Sequence, residues 1–308
     1  MPCVALAPSS LLPKTRSCVV GATASRLAVT SGGGPAPLDP DGAREFHASS
    51  LASEPFGLGG YHCSVPKHNR SRPGMDLECT VWPAKTAHTH TVVFLHGRGD
   101  RAITFALSLQ CWRGSAGKSL AELFPSTKWV FPSAGLRPAV ALGARPQSQW
   151  FDQFSSRDFG LNPEVQVPGL RESVPAVRKV LRREAEELGG RWDRIVLAGI
   201  SQGAATAVHA LLHLAIPDAC RGSPRLAALL AFSCQLPFIG LPRDETLAAL
   251  QLGEVPAGDE AVRGTPVLLE HCANDDVVPV EQLRLLTTTL TGFGASVIAK
   301  EYPDGGHW

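Results

Sequence analysis

Short apolar runs alternate with longer amphipathic segments from about residue 76 to the end of the chain. Several runs are almost continuously apolar, which is typical of strands that are covered on both faces of a sheet. Alternation of such runs with helical segments indicates a mostly parallel central sheet with helices on both faces, the α/β class. The apolar runs predict seven strands, over residues 79–82, 91–95, 128–131, 194–198, 228–232, 267–270 and 296–302.

Three of the longer segments carry apolar residues at helical spacing. The first extends from Leu170 to Leu188 and is followed by a Gly-Gly pair, a common helix stop. Pro175 lies inside this pattern, so we expect the regular helix to begin there or to be kinked there. The other two helices are predicted over residues 202–214 and 281–291.

The first 75 residues have a different composition. They are rich in Ser, Pro and Gly and show no sustained period of 2 or 3.6. This composition predicts a low-complexity, disordered extension over residues 1–75, followed by one folded domain over residues 76–308. The extension has basic residues but no acidic residue before Asp39, so targeting to an organelle is an alternative to a cytoplasmic location.

Charge and cysteine content exclude several classes of protein. The 29 Lys and Arg residues nearly balance the 28 Asp and Glu residues, which argues against nucleic acid as a partner. The eight cysteines are widely and irregularly spaced without a C-x-x-C pair, which argues against a zinc ribbon or a disulfide scaffold and favours the cytoplasm. The uncharged stretch 195–217 contains polar side chains, so a buried strand and helix explain it better than a transmembrane segment.

The strongest chemical motif is Gly199-Ile200-Ser201-Gln202-Gly203, which follows an apolar run and precedes a helical one. A serine on a sharp strand-to-helix turn exposes its hydroxyl for attack on a carbonyl, and small flanking residues allow the turn. The helix N-terminus then presents N–H groups to the developing oxyanion. The motif predicts Ser201 as a nucleophile, with a glycine-rich turn that has no catalytic role as the alternative.

A nucleophilic serine needs a base and an acid that orients the base, and on such folds they follow in the order Ser, Asp, His. Asp275 and Asp276 follow the apolar run 266–270, and His307 follows the last predicted strand. The alternatives are an Asx-type cap of the next helix for the acids and a solvated histidine for His307.

Two backbone amides are expected to form the oxyanion hole. One belongs to Gln202, directly after the serine, and the other to Arg98, in the glycine-rich loop after an early strand. The side chain of Arg98 is expected in a surface ion pair, with an anionic substrate group as the alternative.

These blocks resemble the acyl-protein thioesterase, lysophospholipase and carboxylesterase family of α/β hydrolases. The resemblance implies the α/β-hydrolase fold, with Ser201 as nucleophile, Asp275 as orienting acid and His307 as general base. Asp276 stands where this family usually has proline, so it is an alternative acid. The resemblance covers about residues 92–308 and is carried by blocks 94–100, 149–152, 167–173, 194–197, 199–203 and 271–279, all in family order.

Two aromatic residues, Trp150 and Phe151, lie in a block that lines the acyl pocket in this family. The resemblance therefore implies that they contact substrate, and a place in the core under a loop is the alternative. His209 and His213 lie one helical turn apart, but no third ligand is evident, so we expect no metal.

We therefore expect a serine hydrolase that needs no cofactor and passes through an acyl-enzyme on Ser201. By resemblance, its substrates are thioesters or carboxylic esters: an acylated protein first, then a lysophospholipid or a small ester, with transient contact to a membrane surface. Relatives usually continue past the histidine into a helix, whereas one residue follows His307 here. A catalytically impaired acyl-binding or interaction protein is therefore one alternative, and a tailoring esterase of a small-molecule pathway is another.

Overall fold

The computed structural model describes residues 76–155, 157–253, 256 and 258–307. The predicted disordered extension, residues 1–75, lies outside the described residues. The strands in chain order are β1 (Cys79–Trp82), β2 (His90–Leu95), β3 (Thr127–Pro132), β4 (Leu136–Ala139), β5 (Arg145–Ser148), β6 (Ile195–Ile200), β7 (Ala228–Phe232), β8 (Pro266–Cys272) and β9 (Ser296–Tyr302).

Seven of these strands form one sheet in the order β1-β3-β2-β6-β7-β8-β9. Only β1 pairs antiparallel in this sheet, and the other six strands are parallel. The mostly parallel sheet predicted from the apolar runs is thus confirmed. Leu95 at the end of β2 pairs with Gly199 near the end of β6, so the loops that follow these two strands emerge side by side.

The helices are α1 (Ala102–Gln110), α2 (Leu120–Leu123), α3 (Val167–Glu187), α4 (Gln202–Leu212), α5 (Arg243–Leu250), α6 (Glu260–Gly264) and α7 (Glu281–Gly292). Helix α1 packs on one face of the sheet, while α3, α4 and α7 contribute to the larger core on the other face. Every residue of α4 is buried. The first turn of α4 is therefore packed on all sides, and this packing holds the residues at its N-terminus in place.

The expectation that α3 begins at Pro175 is wrong. The helix begins at Val167 and continues through Pro175, which lies on the exposed side while Val174 and Val177 are buried. The backbone hydrogen bond that proline cannot donate is missing from the carbonyl of Arg171, a residue that is also exposed.

The sequence pattern also missed the hairpin of β4 and β5. Its strands are four residues long, each contains a proline, and they pair only with each other. Short strands with proline carry a weak periodic signal, so the apolar pattern did not distinguish them from a loop. The end of this hairpin leads directly into residues that border the site described next.

Candidate active site

The turn between β6 and α4 is sharply strained at Ser201. Its φ of 54° and ψ of −122° are unusual for a residue with a side chain. The amide of Ser201 donates a hydrogen bond of 2.9 Å to the carbonyl of Phe232 at the end of β7, which ties the turn to the neighbouring strand. A methyl group on Gly203 would lie 2.4 Å from the carbonyl oxygen of His96, so only glycine allows α4 to approach β2 this closely.

The two amides expected to form the oxyanion hole lie beside this serine. Gln202 is the first residue of α4, and Arg98 lies in the loop after β2. A methyl group on Gly97 would lie 3.7 Å from the Cβ of Ser201, so this loop runs against the serine. Within the described ranges, neither the Arg98 amide nor the Gln202 amide donates a hydrogen bond to another residue. Both donors are therefore available to a developing negative charge.

Side chains brace the loop and the turn against each other. The indole N–H of Trp150 donates to the carbonyl of His96 at 2.8 Å, and its backbone N–H donates to the side-chain oxygen of Gln202, also at 2.8 Å. The guanidinium of Arg98 donates to Gln149 at 2.9 Å, so the structure does not place it in the surface ion pair that we expected. These contacts join both oxyanion donors to one buried segment.

Asp275 and His307 meet at the same edge of the sheet, after β8 and β9. Nδ1 of His307 lies 2.8 Å from one carboxylate oxygen of Asp275 and 3.1 Å from the other. The carboxylate also accepts hydrogen bonds from the amides of Val277 and Val278, at 2.9 and 2.8 Å. The side chain of Asp275 is fully buried, whereas Asp276 is exposed and forms none of these contacts. The geometry therefore favours Asp275 over Asp276 as the orienting acid.

The environment keeps Asp275 ionised. Burial by itself raises the pKa of this carboxyl, but the hydrogen bonds from the Val278 amide and from His307 outweigh burial and leave the pKa below its ordinary value. The ionised Asp275 accepts a hydrogen bond from the protonated Nδ1 of His307. Nε2 is therefore the nitrogen that can act as a base.

Two polar residues that sequence analysis did not select hold this acid–base pair in place. The side-chain oxygen of Asn274 accepts a 2.9 Å hydrogen bond from the amide of Gly306, directly before the histidine. The buried His271 donates from Nε2 to the carbonyl of Val278 at 2.8 Å, with the same nitrogen 3.3 Å from Asp275. Asn274 directly precedes Asp275 in the chain and His271 lies four residues before it, but the sequence carries no sign of the contacts that they form.

Ser201 and His307 line one cavity of about 390 Å³. Its volume is at the lower end of the range for small-molecule sites. No direct hydrogen bond joins the two side chains among the residues that the structure describes, a common situation before substrate is bound. The rest of the wall mixes apolar and polar side chains: Gly97, Arg98, Asp100, Phe105, Gln147, Gln153, Phe159, Ile200, Gln202, Gln235, Val277 and Val278.

Trp150 and Phe151 are not part of this wall. Both are fully buried and belong to the larger core. Phe151 packs edge-on against Phe159, which does line the cavity. The structure therefore supports the alternative that both aromatics belong to the core. From there, hydrogen bonds of Trp150 and packing of Phe151 support residues of the active site.

His209 lies on α4 and His213 directly follows this helix. Both are completely buried, and Nδ1 of His213 contacts the carbonyl of His209 at 2.8 Å. Across the described part of the chain, no three His, Cys, Asp or Glu side chains are grouped closely enough to hold a metal ion.

None of the helices within the described residues combines the length and the apolar character needed to cross a bilayer.

Comparisons with known proteins show which family this chain is similar to. The model of the phospholipase/carboxylesterase family matches residues 78–308. Acyl-protein thioesterase 1 of Gibberella zeae is 30% identical over 230 residues, which are 74% of this chain and 87% of that protein. Among solved structures, esterase PE8 is 26% identical with a TM-score of 0.55, covering 76% of this chain and 92% of that one. Acyl-protein thioesterase 2 of Zea mays is 25% identical with a TM-score of 0.54, covering 75% and 91%.

Proposed function

The chain belongs to the phospholipase/carboxylesterase family and is a serine hydrolase of the α/β-hydrolase fold, and we propose that Ser201, His307 and Asp275 carry its chemistry. One observation carries this assignment. The hydrogen-bonded pair of Asp275 and His307 opens into the same cavity as the strained Ser201.

In the first half of the reaction, Oγ of Ser201 attacks the carbonyl carbon of the substrate and gives its proton to Nε2 of His307. The carbonyl oxygen becomes an oxyanion, which accepts hydrogen bonds from the amides of Arg98 and Gln202. When the tetrahedral intermediate collapses, the bond to the leaving group breaks and His307 returns the proton to that group. The products are the acyl-enzyme on Ser201 and a free thiol or alcohol.

In the second half, His307 removes a proton from water, and the resulting oxygen nucleophile attacks the acyl-enzyme. The same two amides stabilise the second oxyanion, and the proton returns to Ser201 as the carboxylic acid leaves. Throughout, ionised Asp275 stabilises the imidazolium and fixes the tautomer of His307. Trp150 acts as a positioning residue, because its two N–H groups contact the loop and the turn that hold the oxyanion donors.

We propose S-acylated protein as the substrate class, so the reaction is hydrolysis of a thioester on cysteine. Support comes from the relatives named acyl-protein thioesterase, which include the Gibberella zeae protein and the Zea mays structure. The apolar part of the cavity wall, formed by Phe105, Phe159 and Ile200, suits an acyl chain.

We also propose a cytoplasmic location. The cysteines that the structure describes are all free: Cys79, Cys111, Cys220, Cys234 and Cys272. Free thiols suit a reducing compartment.

Labelling with a fluorophosphonate probe tests the catalytic assignment. We expect the purified protein to be modified at Ser201, as read by mass spectrometry of the labelled peptide. Ser201→Ala should abolish labelling, and Ser223→Ala, a change at an exposed serine, should leave it intact. A folded wild-type protein that is not labelled would refute the assignment and favour an acyl-binding protein without catalysis.

Hydrolysis of an S-acyl cysteine peptide tests the substrate class. We expect release of the free thiol by the wild-type protein and none by Ser201→Ala. Labelling of Ser201 without release of the thiol, combined with hydrolysis of oxygen esters, would refute the thioesterase proposal while leaving the serine hydrolase intact.

A further inference from the structure

Several polar side chains in the cavity wall have no role in the mechanism above, and Gln235 is one of them. Gln235 follows the end of β7, only 5% of its surface is exposed, and it lines the cavity together with Ser201. Its side-chain oxygen is buried and accepts no hydrogen bond from the residues that the structure describes. The amide nitrogen likewise donates to none of them.

A buried amide oxygen without a partner destabilises the protein, because the oxygen has lost its hydrogen bonds to water and gained none in return. Gln235 shares the wall with Ile200, Val277 and Val278, none of which has a polar side chain. A leucine of similar size would fill the same space without this penalty. The position of the amide at a cavity next to Ser201 therefore suggests that a ligand supplies the missing partner.

Two further polar atoms without a partner belong to residues of the cavity wall. They are the side-chain oxygen of Gln147 and Nη2 of Arg98, both buried and both without a hydrogen bond among the described residues. The guanidinium disfavours a cationic ligand group. Asp100, the acidic residue of the wall, already accepts hydrogen bonds from the amide of Arg101 and the hydroxyl of Thr104. The two amide oxygens need a donor, and Nη2 of Arg98 needs an acceptor. A neutral hydroxyl or secondary amide can both donate and accept, so such a group fits this set of atoms.

We propose that Gln235 is a specificity-determining residue that accepts a hydrogen bond from a neutral hydroxyl or amide N–H of the substrate. This inference rests on the proposed serine hydrolase function of the same cavity. The donor can belong to the acyl chain or to the leaving group, and a different pair of substrates tests each source. A site that is built to hydrogen-bond a substrate group discriminates strongly against the analogue that lacks it.

Two pairs of matched substrates test the proposal. The acyl pair is p-nitrophenyl hexanoate and p-nitrophenyl 6-hydroxyhexanoate. The leaving-group pair is the hexanoyl thioester of pentanethiol and that of N-acetylcysteamine, which has an amide N–H within a chain of the same length. We expect the wild-type protein to favour the polar member of one pair by about tenfold in kcat/KM. The pair that shows the preference identifies the source of the donor.

Gln235→Leu should reduce this preference to about one or reverse it. Gln110→Leu, at an exposed glutamine at the end of α1 outside the cavity wall, is the matched control and should keep the preference. Gln235→Met replaces Gln235→Leu if the leucine variant fails to fold.

Fluorophosphonate labelling of every sample distinguishes failure of the Gln235 proposal from failure of the serine hydrolase assignment. If Ser201 is labelled and the wild-type protein shows no preference in either pair, or if Gln235→Leu keeps the preference, the role of Gln235 is refuted and the serine hydrolase stands. If Ser201 is not labelled and no substrate is hydrolysed, both proposals are refuted.

Discussion

Adding one methyl group at Gly203 should separate the two halves of the oxyanion hole. In Gly203→Ala, the new Cβ would lie 2.4 Å from the carbonyl oxygen of His96 and 2.5 Å from that of Leu95. Carbon and oxygen atoms pack comfortably only at about 3.5 Å, so α4 and the end of β2 must move apart by about 1 Å. Gly203 follows the Gln202 amide, and His96 precedes the loop that carries the Arg98 amide.

Each donor must lie within about 0.3 Å of its best distance from the oxyanion, so a shift of about 1 Å removes at least one of them. Loss of one donor lowers kcat by about 10²-fold to 10³-fold. Overpacking at this buried site should also lower the free energy of unfolding by about 1–3 kcal/mol. We expect KM to change less than kcat, because the amides interact most strongly with the transition state.

Hydrolysis of p-nitrophenyl hexanoate measures kcat and KM, and urea denaturation measures the free energy of unfolding. Gly292→Ala is the matched control: it adds the same methyl group at the end of α7, where no atom lies within 4 Å. It should leave both quantities close to the wild type. Wild-type kcat and stability in Gly203→Ala would refute the close packing of α4 on β2 and its role in placing the donors.

Three other substitutions test the acid, the loop that carries the base, and a buried histidine. Asp275→Asn should lower kcat for the same ester by about 10³-fold to 10⁴-fold, and similar kcat values for it and the exposed Asp276→Asn would contradict the choice of acid. Asn274→Ala loses the hydrogen bond from Gly306 and should lower kcat by roughly threefold to tenfold; an unchanged kcat would show that other contacts hold the loop. Burial lowers the pKa of His209 from about 6.5 to about 3, so the unfolded chain takes up the proton first as the pH falls. The wild-type protein should therefore lose about 2 kcal/mol at this site between pH 7 and pH 5, and urea denaturation of His209→Leu at both pH values should show a smaller loss.

Most of the sheet could be predicted from local pattern, because strands such as β2 and β6 are apolar runs that are mostly buried. The candidate nucleophile, acid and base were also visible, since each follows a predicted strand and parallel strands deliver their carboxyl ends to one edge. Pro175 misled the pattern because proline weakens a helix at any interior position, but packing that the local sequence does not display can outweigh this cost. Pro175 lies on the exposed side of α3, and the packing of Val174 and Val177 on the buried side outweighs the lost hydrogen bond.

The supporting residues could not be predicted, because their partners lie far away in the chain. Asn274 is recognisable only when the pairing of Cys272 with Tyr302 brings β8 and β9 together and places Gly306 above it. Gln235 gives no local signal at all. Its importance depends on a wall formed by segments that meet only in the folded chain.

The backbone conformation at Ser201 serves catalysis but lowers the stability of the fold. A residue with a side chain held at a φ of 54° and a ψ of −122° costs about 1–3 kcal/mol, and glycine would adopt the same conformation with little strain. Selection for thermal stability alone would therefore favour glycine at this position. Directed evolution for heat tolerance without a requirement for turnover should eliminate the serine, so any thermostable variant of this chain must be screened for activity in parallel.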